Sequence, residues 1–480
     1  MAEQTAEQTA EQSEAPLYAA HEKVYPQGVR GFFRRMKWAI LIVAYAVYFL
    51  LPYVRWGERQ AVLFDIPGRQ FFLFNLRVAP EDIIWLSMLL FIAAVALFFV
   101  TSLAGRVFCG YFCFQTLWTD VFMKIEEWVE GGRSRRMRLD KQGVTLDKAT
   151  KKATKHLLWL AVALLTGITF TLYFRDAYTL WAQFVTGQAP TVAYFTALFL
   201  TATTYTMAGW AREQVCTYMC PYARFQGAMF DEDTLIVAYD YNRGERSESR
   251  QPPKKGETYE DRVARGAGDC IDCGYCVKVC PTGIDIREGQ QYQCITCGLC
   301  IDACNTIMRS QGFPEGLIRY TSENELEGGK TRLLRPNIIA YAVILVAAIG
   351  VLGYSIANQS LMDLNVYKVR NPAYILEPDG RIKNVYELRV NNKAQESHRY
   401  RVSMSGLPAA EYKIQGGFRE FNIDPGENLT VKAYVWADPD ELGSTRTHFT
   451  FSAERIDVAA GEPGETRQAR ALFFVPERQL

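Results

Sequence analysis

The sequence predicts a multi-domain membrane protein: a bundle of five transmembrane helices, a cysteine-rich insert before the fifth helix, and a C-terminal β-sandwich. Apolar stretches of about 20 residues, long enough to cross a bilayer, alternate with very polar ones. All 12 cysteines precede the fifth stretch, and short runs of alternating polar and apolar residues follow it. A net charge of +1 gives no reason to expect nucleic acid as a partner.

The five predicted spans are mostly apolar and are mostly bordered by aromatic residues, which anchor helices at the membrane interface. They comprise residues 38–54, 83–104, 157–174, 191–210 and 337–357. Buried helices of a soluble protein are the alternative, but helices of this length would then carry a polar face. The sequence therefore favours true membrane spans and a lipid bilayer as partner.

Basic residues in the flanks predict the orientation, because Lys and Arg stay on the cytoplasmic side. Several precede the first span and eleven lie between spans two and three, whereas only Arg175 lies between spans three and four. The loop after span one, with four arginines, is the exception. We therefore expect a bacterial inner-membrane protein with a cytoplasmic N-terminus and a periplasmic C-terminal domain.

The predicted division of the chain follows from these spans. It has a disordered cytoplasmic tail and following motif (1–37), four spans in two repeats (38–210), a cytoplasmic region (211–336) with a two-cluster module at about 260–312, a fifth span (337–357) and the exported β-sandwich (358–480).

Eight cysteines form an internal repeat, in which one Cys-x2-Cys-x2-Cys-x3-Cys motif recurs 24 positions later. At this spacing three thiolates bind one [4Fe-4S] cubane, and the fourth cysteine ligates the cluster of the other motif. The predicted ligands are Cys270, Cys273, Cys276 and Cys304 for cluster 1, and Cys294, Cys297, Cys300 and Cys280 for cluster 2. Zinc also takes four thiolates, but its sites rarely show two interlocked sets.

The other four cysteines form two Cys-x3-Cys pairs, Cys109 with Cys113 and Cys216 with Cys220, offset by 107 residues. The offset indicates that spans one and two are duplicated as spans three and four. Parallel repeats pack about an axis along the membrane normal, which would bring both pairs together at the cytoplasmic face. On a helix, residues i and i+4 share one side, so each pair could offer two thiolates to one ion.

Three interpretations of these four membrane-edge cysteines stay open. Cysteine also packs as a small buried hydrophobe, although two matched pairs make a purely structural role less expected. A third cluster and a copper site are the other two. Thiolates prefer Cu(I) over Cu(II), so a four-thiolate pocket would draw an electron onto copper. Neighbouring clusters would supply that electron, and an electron-acceptor site of this kind would make the protein a cupric reductase.

The C-terminal region shows alternating strand patterns separated by turn signals at intervals of about ten residues, as expected of a β-sandwich. Examples are residues 385–390, 429–435 and 447–451, with turns at 378–380 and 424–427. The region has no cysteine, and His398 and His448 are isolated and expected at the surface. We expect an interaction module here.

The motifs together resemble the cytochrome c oxidase accessory protein family (CcoG, FixG or RdxA), membrane polyferredoxins. The matching runs are Lys-Val-Tyr-Pro (23–26), Gly-Arg-Val-Phe-Cys-Gly-Tyr (105–111), Gln-Thr-Leu-Trp-Thr-Asp (115–120), Cys-Thr-Tyr-Met-Cys-Pro-Tyr (216–222), Gly-Asp-Cys-Ile-Asp-Cys-Gly-Tyr-Cys (268–276), Gln-Tyr-Gln-Cys (291–294) and Gly-Leu-Ile-Arg-Tyr (316–320). The resemblance implies five spans, a ferredoxin insert and an immunoglobulin-like periplasmic domain. It also implies reduction of Cu(II) to Cu(I) for assembly of a cbb-type cytochrome c oxidase. Phe114 stands where the family usually has proline.

Three functional hypotheses follow. The first is a cupric reductase whose partners are copper ion, the oxidase or its copper-delivery factors, and an unidentified cytoplasmic electron donor. The second is an electron-transfer subunit resembling the membrane quinol dehydrogenases, and the third is a non-catalytic assembly factor. The β-sandwich favours the first, because only that resemblance includes such a domain.

Overall fold

The computed structural model describes residues 23–78, 82–254, 256–394, 396–442, 444–457 and 464–476. The repetitive part of the predicted N-terminal tail, residues 1–12, lies outside these residues. The chain divides into two compact units, Met1–Leu352 and Gly353–Leu480, which are described separately.

Among the described residues, four helical segments are long and apolar enough to cross a membrane. They are Phe32–Tyr53, Ile83–Ala104, Leu146–Leu172 and Pro336–Ala357. The first consists of an α-helix, Phe32–Leu50, that tightens into a 3-10 turn, Leu51–Tyr53, at Pro52. The segments cover four of the five predicted spans, and the number five itself stays a prediction.

The remaining predicted span, 191–210, is helical but changes type along its length. An α-helix of 14 residues, Thr191–Thr204, continues directly into a π-helical segment of seven, Tyr205–Ala211. The α-helical part alone rises only about 21 Å, less than the hydrocarbon thickness. It packs closely on Leu146–Leu172, because a methyl group at Gly167 would lie 2.3 Å from the carbonyl oxygen of Ala197.

The helix of the third predicted span begins eleven residues before its apolar part. It starts at Leu146, where the Thr145 hydroxyl accepts a hydrogen bond from the backbone N–H of Lys148, as an N-cap does. The added turns are rich in alanine and lysine, which are strong helix formers. The third span therefore carries a polar, basic extension at its N-terminal end.

Shorter elements connect these helices. The loop after the first span forms β1 (Arg55–Trp56), β2 (Arg59–Gln60), β3 (Val62–Asp65), β4 (Gln70–Leu73) and β5 (Leu76–Val78), with β3, β4 and β5 in one sheet. Short helices follow the second and third spans: Val107–Tyr111, Phe114–Glu130, Arg133–Lys141 and Ala177–Thr186. A second π-helical segment, Val215–Met219, precedes the helix Pro221–Ala228.

The cysteine-rich insert is closed by two antiparallel strands, β6 (Ile236–Tyr239) and β7 (Ile318–Thr321). Between them lie the helices Tyr241–Gly244, Tyr259–Ala264, Tyr275–Val279 and Leu299–Gln311 and the 3-10 turn Ile286–Glu288, and Glu323–Leu326 follows β7. An apolar core joins the strands to the insert, with Val237 and Ile318 packed in the same cluster as Cys270 and Cys276. The strand pair thus fixes both ends of the cysteine-bearing loops.

The C-terminal unit consists of two antiparallel sheets. One orders β12 (Glu411–Ile414), β14 (Asn428–Ala437), β10 (Ile382–Asn392) and β8 (Met362–Lys368), with β9 (Ile375–Leu376) beside β10; the other orders β13 (Glu420–Ile423), β11 (His398–Ser405), β15 (Arg446–Arg455) and β16 (Thr466–Phe474). A short helix, Pro439–Leu442, precedes β15. Side chains from both sheets form one core, including Leu388 and Phe451.

The predicted strands of the C-terminal region are present, but one histidine prediction is wrong. His398 is buried, and its Nδ1 lies 2.8 Å from a carboxylate oxygen of Asp457. An ionisable side chain tolerates burial when it is hydrogen-bonded, so the isolated histidine of the sequence has a structural partner.

Candidate functional site

The two cysteine motifs of the insert have the same local structure. In each, a glycine in the left-handed conformation, Gly274 (φ 61°) or Gly298 (φ 70°), is the N-cap of a helix that carries the third cysteine. The fourth cysteine directly follows this helix in the first motif and lies within it in the second. Because glycine lacks a Cβ atom, it adopts this conformation at little cost and lets the chain turn sharply around a bound group. The repeat in the sequence is therefore a repeat in the backbone.

The first group of thiols crosses the two motifs. The pKa of the Cys304 thiol is raised to about 12, first by burial and then by the neighbouring thiols of Cys276, Cys270 and Cys273. Cys273 is exposed, whereas Cys270 and Cys276 are buried. This first set therefore has one corner open to solvent.

The second group has no exposed cysteine: Cys297 is buried and the other three are half-buried. Cys280, Cys294, Cys297 and Cys300 line one cavity whose remaining walls are mostly apolar. Burial raises the pKa of Cys300 well above its usual value, and the thiols of Cys297, Cys294 and Cys280, followed by Cys276 of the first set, add to this effect. The two sets are therefore neighbours.

Both sets suit iron-sulfur clusters in the chemistry of their donors: each groups four thiols beside a left-handed glycine in mostly apolar surroundings. Within the described ranges, no three metal-binding side chains form a site for a single metal ion. A cubane has no such requirement, because each thiolate binds its own iron. Metal binding needs the thiolate form, so the raised thiol pKa values mean that loading releases protons.

The membrane-edge cysteines come together, as the 107-residue offset predicted, but not on continuous helices. Burial raises the pKa of Cys216 to about 12, and the nearby thiols of Cys113, Cys109 and Cys220 contribute to the rise. Cys109 and Cys216 lie in short helical segments, whereas Cys113 and Cys220 have extended backbones and are the N-caps of the following helices. The prediction that each pair occupies two successive turns of one helix is wrong.

The reason for the break differs between the two pairs. Pro221 follows Cys220 and occupies the first position of the next helix, where its fixed φ is favourable and its missing N–H costs nothing. At Cys113 the following residue is Phe114, and the same break forms without proline. Phe114, in place of the family's usual proline, therefore leaves Cys113 with the same extended N-cap backbone as Cys220.

Two polar side chains that the sequence did not single out as a pair, Gln226 and Arg106, lie beside Cys109. The amide oxygen of Gln226 accepts hydrogen bonds from the Cys109 thiol (3.2 Å) and from Nε of Arg106 (3.0 Å). Arg106 also donates to the carbonyl oxygen of Tyr292, just before the second motif. Arg106 thus places a buried positive charge beside the thiols, which favours their thiolate forms.

The Cys109 segment packs directly on the loop that bears the second set. A methyl group at Gly110 would lie 2.6 Å from the carbonyl oxygen of Ile295 and 3.1 Å from Cα of Cys297. The buried Tyr111 hydroxyl donates a hydrogen bond to the carbonyl oxygen of Cys297 at 2.9 Å. Cys109 and Cys297 also belong to one apolar cluster, so the membrane-edge cysteines adjoin the second set.

His156 also has a defined environment. Its Nδ1 lies 2.9 Å from the hydroxyl of Tyr205, and its ring stacks on Trp210 with centroids 5.6 Å apart. Both partners belong to the π-helical segment that precedes Cys216. No contact joins the imidazole to a cysteine among the interactions of the described residues, so it is placed beside the site without being part of it.

Comparison with known proteins identifies the family. The chain is 43% identical to the protein RdxA of Cereibacter sphaeroides over 476 residues, covering 95% of this chain and 98% of that protein. It is 42% identical to RdxB of the same organism, covering 93% and 95% of the two chains, and 37% identical to the nitrogen fixation protein FixG of Rhizobium meliloti, covering 92% and 91%. The chain belongs to the FixG/RdxA family.

Three domain families match parts of this FixG/RdxA-family chain. A 4Fe-4S dicluster domain matches residues 211–323, a 4Fe-4S binding domain matches 86–136, and the IG-like fold at the C-terminal of FixG matches 352–476. The resemblance found in the sequence and the immunoglobulin-like C-terminal domain are confirmed. The chain is a FixG/RdxA-like iron-sulfur electron-transfer protein with membrane-type helices.

Proposed function

We propose that this protein is a cupric reductase of the bacterial inner membrane, which converts Cu(II) to Cu(I) for the assembly of a cbb-type cytochrome c oxidase. The contact of Gly110 and Tyr111 with the loop of the second set carries the proposal, because it joins the two kinds of cysteine site in one continuous unit. The reaction adds one electron to each cupric ion. A cytoplasmic electron donor is its source, and copper-delivery factors or the oxidase itself receive the cuprous ion.

The ferredoxin-type thiols have the role of cluster ligands in this proposal. Two [4Fe-4S] clusters, when bound, supply one-electron redox chemistry. The first set (Cys270, Cys273, Cys276 and Cys304) would hold one, and the second set (Cys294, Cys297, Cys300 and Cys280) the other. The exposed Cys273 marks the side that a soluble donor can approach, whereas none of the four cysteines of the second set is exposed.

The membrane-edge cysteines, Cys109, Cys113, Cys216 and Cys220, are the acceptor site in this proposal. Their thiols have to close around the ion when copper binds, because the described residues hold no group of three ligands already set for a single ion. Thiolates are soft ligands that favour Cu(I) over Cu(II), and the Arg106 guanidinium offsets part of their negative charge. A further iron-sulfur cluster is the alternative occupant, and the 4Fe-4S binding domain that matches residues 86–136 is the observation in its favour, because Cys109 and Cys113 are the cysteines of that segment.

Copper turnover tests the proposal directly. Full-length protein, purified anaerobically and reduced, is mixed with Cu(II) in the presence of a chelator specific for Cu(I), and the coloured cuprous complex is followed. We expect stoichiometric formation of Cu(I) matched by oxidation of the protein. A protein that holds reduced clusters yet leaves Cu(II) unchanged would instead be an assembly factor, and oxidation of added quinol would support the quinol dehydrogenase alternative.

Exchange of the fourth cysteines tests the crossed ligand sets. We expect Cys280→Ser to disturb the cluster of the second set and Cys304→Ser that of the first, because each of these cysteines groups with the thiols of the other motif. EPR of the reduced variants measures which signal changes. If each substitution disturbed the cluster of its own motif, the crossed assignment would be wrong.

Reporter fusions test the proposed topology. An alkaline phosphatase fused after Leu480 should be active, since this enzyme requires the oxidising periplasm, and one fused after Lys254 should be silent. A green fluorescent protein at the same two positions gives the opposite pattern and controls for expression. Active phosphatase at Lys254 would place the cysteine insert outside and remove the basis for a cytoplasmic donor.

A further inference from the structure

A basic cavity of about 410 Å³ lies beside the π-helical segment that precedes Cys216. Its lining includes Lys23, Lys152, Lys155, His156, Trp210 and Arg212. We propose that this cavity, the headgroup pocket, binds the phosphate group of an anionic phospholipid. The proposal goes beyond copper reduction and does not depend on it.

The charges around the headgroup pocket leave a positive surplus. Four cations line it, and Arg136 lies behind them, paired with Glu126 at 3.5 Å. Three carboxylates, those of Glu126, Glu130 and Asp140, pair with these cations, and Glu213 lines the cavity as a fourth acid. The side chains of Glu126 and Glu130 are 0% exposed, so the cations stand between these acids and the cavity. Five cations against four acids leave one positive charge, which a phosphodiester matches.

Arg212 provides a donor for such a group. It is 6% exposed; its Nη2 lies 2.8 Å from Glu126, and its Nε donates to the carbonyl oxygen of Gly209 at 2.8 Å. Its Nη1 has no hydrogen-bond partner among the described residues. A buried donor without an acceptor is unfavourable, and guanidinium groups bind phosphate oxygens strongly. A small rearrangement that turns Nη1 to a headgroup oxygen would satisfy it.

The surroundings of the cavity favour a lipid over free phosphate. His156, Leu160 and Leu164 lie at i, i+4 and i+8 and therefore share one face of their helix. Leu160 is 46% and Leu164 40% exposed, and Trp210 is 64% exposed at the rim. Tryptophan concentrates at the membrane interface, and basic pockets between membrane helices bind anionic headgroups. The exposed leucines continue from the pocket in the direction that acyl chains would take.

Lipid binding would also act on the cysteine site. Gln214 lines the headgroup pocket, and Cys216 is two residues further along the chain. A headgroup held by Arg212 would fix the end of the π-helical segment from which the Cys216 turn starts. The pocket would thereby make the geometry of the membrane-edge cysteines depend on anionic lipid.

Thermal unfolding of the full-length protein in detergent tests the proposal, with phosphatidylglycerol, phosphatidylcholine or inorganic phosphate added. We expect phosphatidylglycerol to raise the Tm above the value with phosphatidylcholine. Lys152→Gln should lose most of this increase, because it removes the surplus positive charge of the headgroup pocket. The variant should still fold, because Glu130 and Asp140 keep Lys155 and Lys23 as partners. Lys151→Gln is the matched control, because Lys151 neighbours Lys152 but pairs with Asp147 outside the pocket.

Native mass spectrometry of the same samples provides the second readout. Retained phosphatidylglycerol is expected on the wild-type protein and the Lys151→Gln variant, and reduced retention on Lys152→Gln. Equal effects of both lipids, or equal losses in both variants, would overturn the proposal. A Tm increase with inorganic phosphate as large as that with phosphatidylglycerol would show an anion site without lipid recognition and would also overturn it.

Discussion

Replacing Cys216 and Cys220 together with serine is expected to abolish Cu(II) reduction while both ferredoxin-type clusters stay in place. Hydroxyl groups are poor ligands for the soft cuprous ion, so the variant would lose copper binding and the bias towards Cu(I). None of the eight cysteines of the insert is changed. Cuprous-chelator turnover measures the loss, and EPR with iron and sulfide quantification measures the clusters.

Thr217→Ala is the matched control for this double variant, because Thr217 lies between the two cysteines and, among the described residues, its hydroxyl donates a hydrogen bond to the carbonyl oxygen of Glu213 alone, four residues earlier in the chain. It should retain turnover. A double serine variant that reduced Cu(II) at the wild-type rate would place the acceptor site elsewhere. Loss of iron and sulfide from that variant would show that the membrane-edge cysteines hold a third cluster.

Glu126→Gln is expected to destabilise the protein by about 3–5 kcal/mol, the cost of breaking a buried ion pair from one side. The Glu126 carboxylate lies 2.8 Å from Arg212 and 3.5 Å from Lys155, and both partners are almost fully buried. The amide would leave these cations partly uncompensated. Thermal and denaturant unfolding of the full-length protein in one detergent measures the difference.

The neighbouring Glu127→Gln provides the control. Glu127 is partly exposed and pairs with Lys124 one helical turn away, so its removal should cost less than about 1 kcal/mol. Equal destabilisation by both variants would mean that the buried network contributes nothing beyond a surface ion pair.

The same carboxylate predicts a pH dependence. Burial acts to raise the pKa of Glu126, but Arg212, Lys155, Lys23 and Arg136 outweigh it and lower the pKa to about 2. The stabilisation is therefore complete above the unfolded-state pKa of about 4.3 and is lost as the pH falls towards 2. The stability difference between the wild type and Glu126→Gln should narrow across this interval, and a difference independent of pH would contradict the assignment.

Periodicity and spacing predicted much of this molecule because both are local properties. Apolar windows located four spans, but they missed the extension of the third span from Leu146, since hydropathy does not score a lysine-rich helix. The i, i+4 spacing predicted a helix at each membrane-edge pair, and the structure breaks it. Pro221 was a readable signal for that break at Cys220, whereas Cys113 had none.

Long-range packing was not predictable from one sequence. The loop after span two appeared as a basic flank, and only the folded chain gathers its lysines and arginines around Glu126 and Glu130. Likewise, nothing in the sequence indicated that Gly110 needs to be glycine, because the atoms that exclude a side chain there belong to Ile295 and Cys297. The structure, and not the sequence, therefore shows that the membrane-edge cysteines lie next to the second set.

The contact between Tyr111 and the carbonyl of Cys297 joins residues 186 positions apart, which has a consequence for biogenesis. Chains are synthesised and fold from the N-terminus, so the Cys109 segment is complete before the second cysteine motif leaves the ribosome. The surface around Gly110 stays exposed during that time, because the residues that cover it, Ile295 and Cys297, have not yet been synthesised. Its closure requires the loop of the second set to have folded, so the packing around Gly110 is completed late in synthesis.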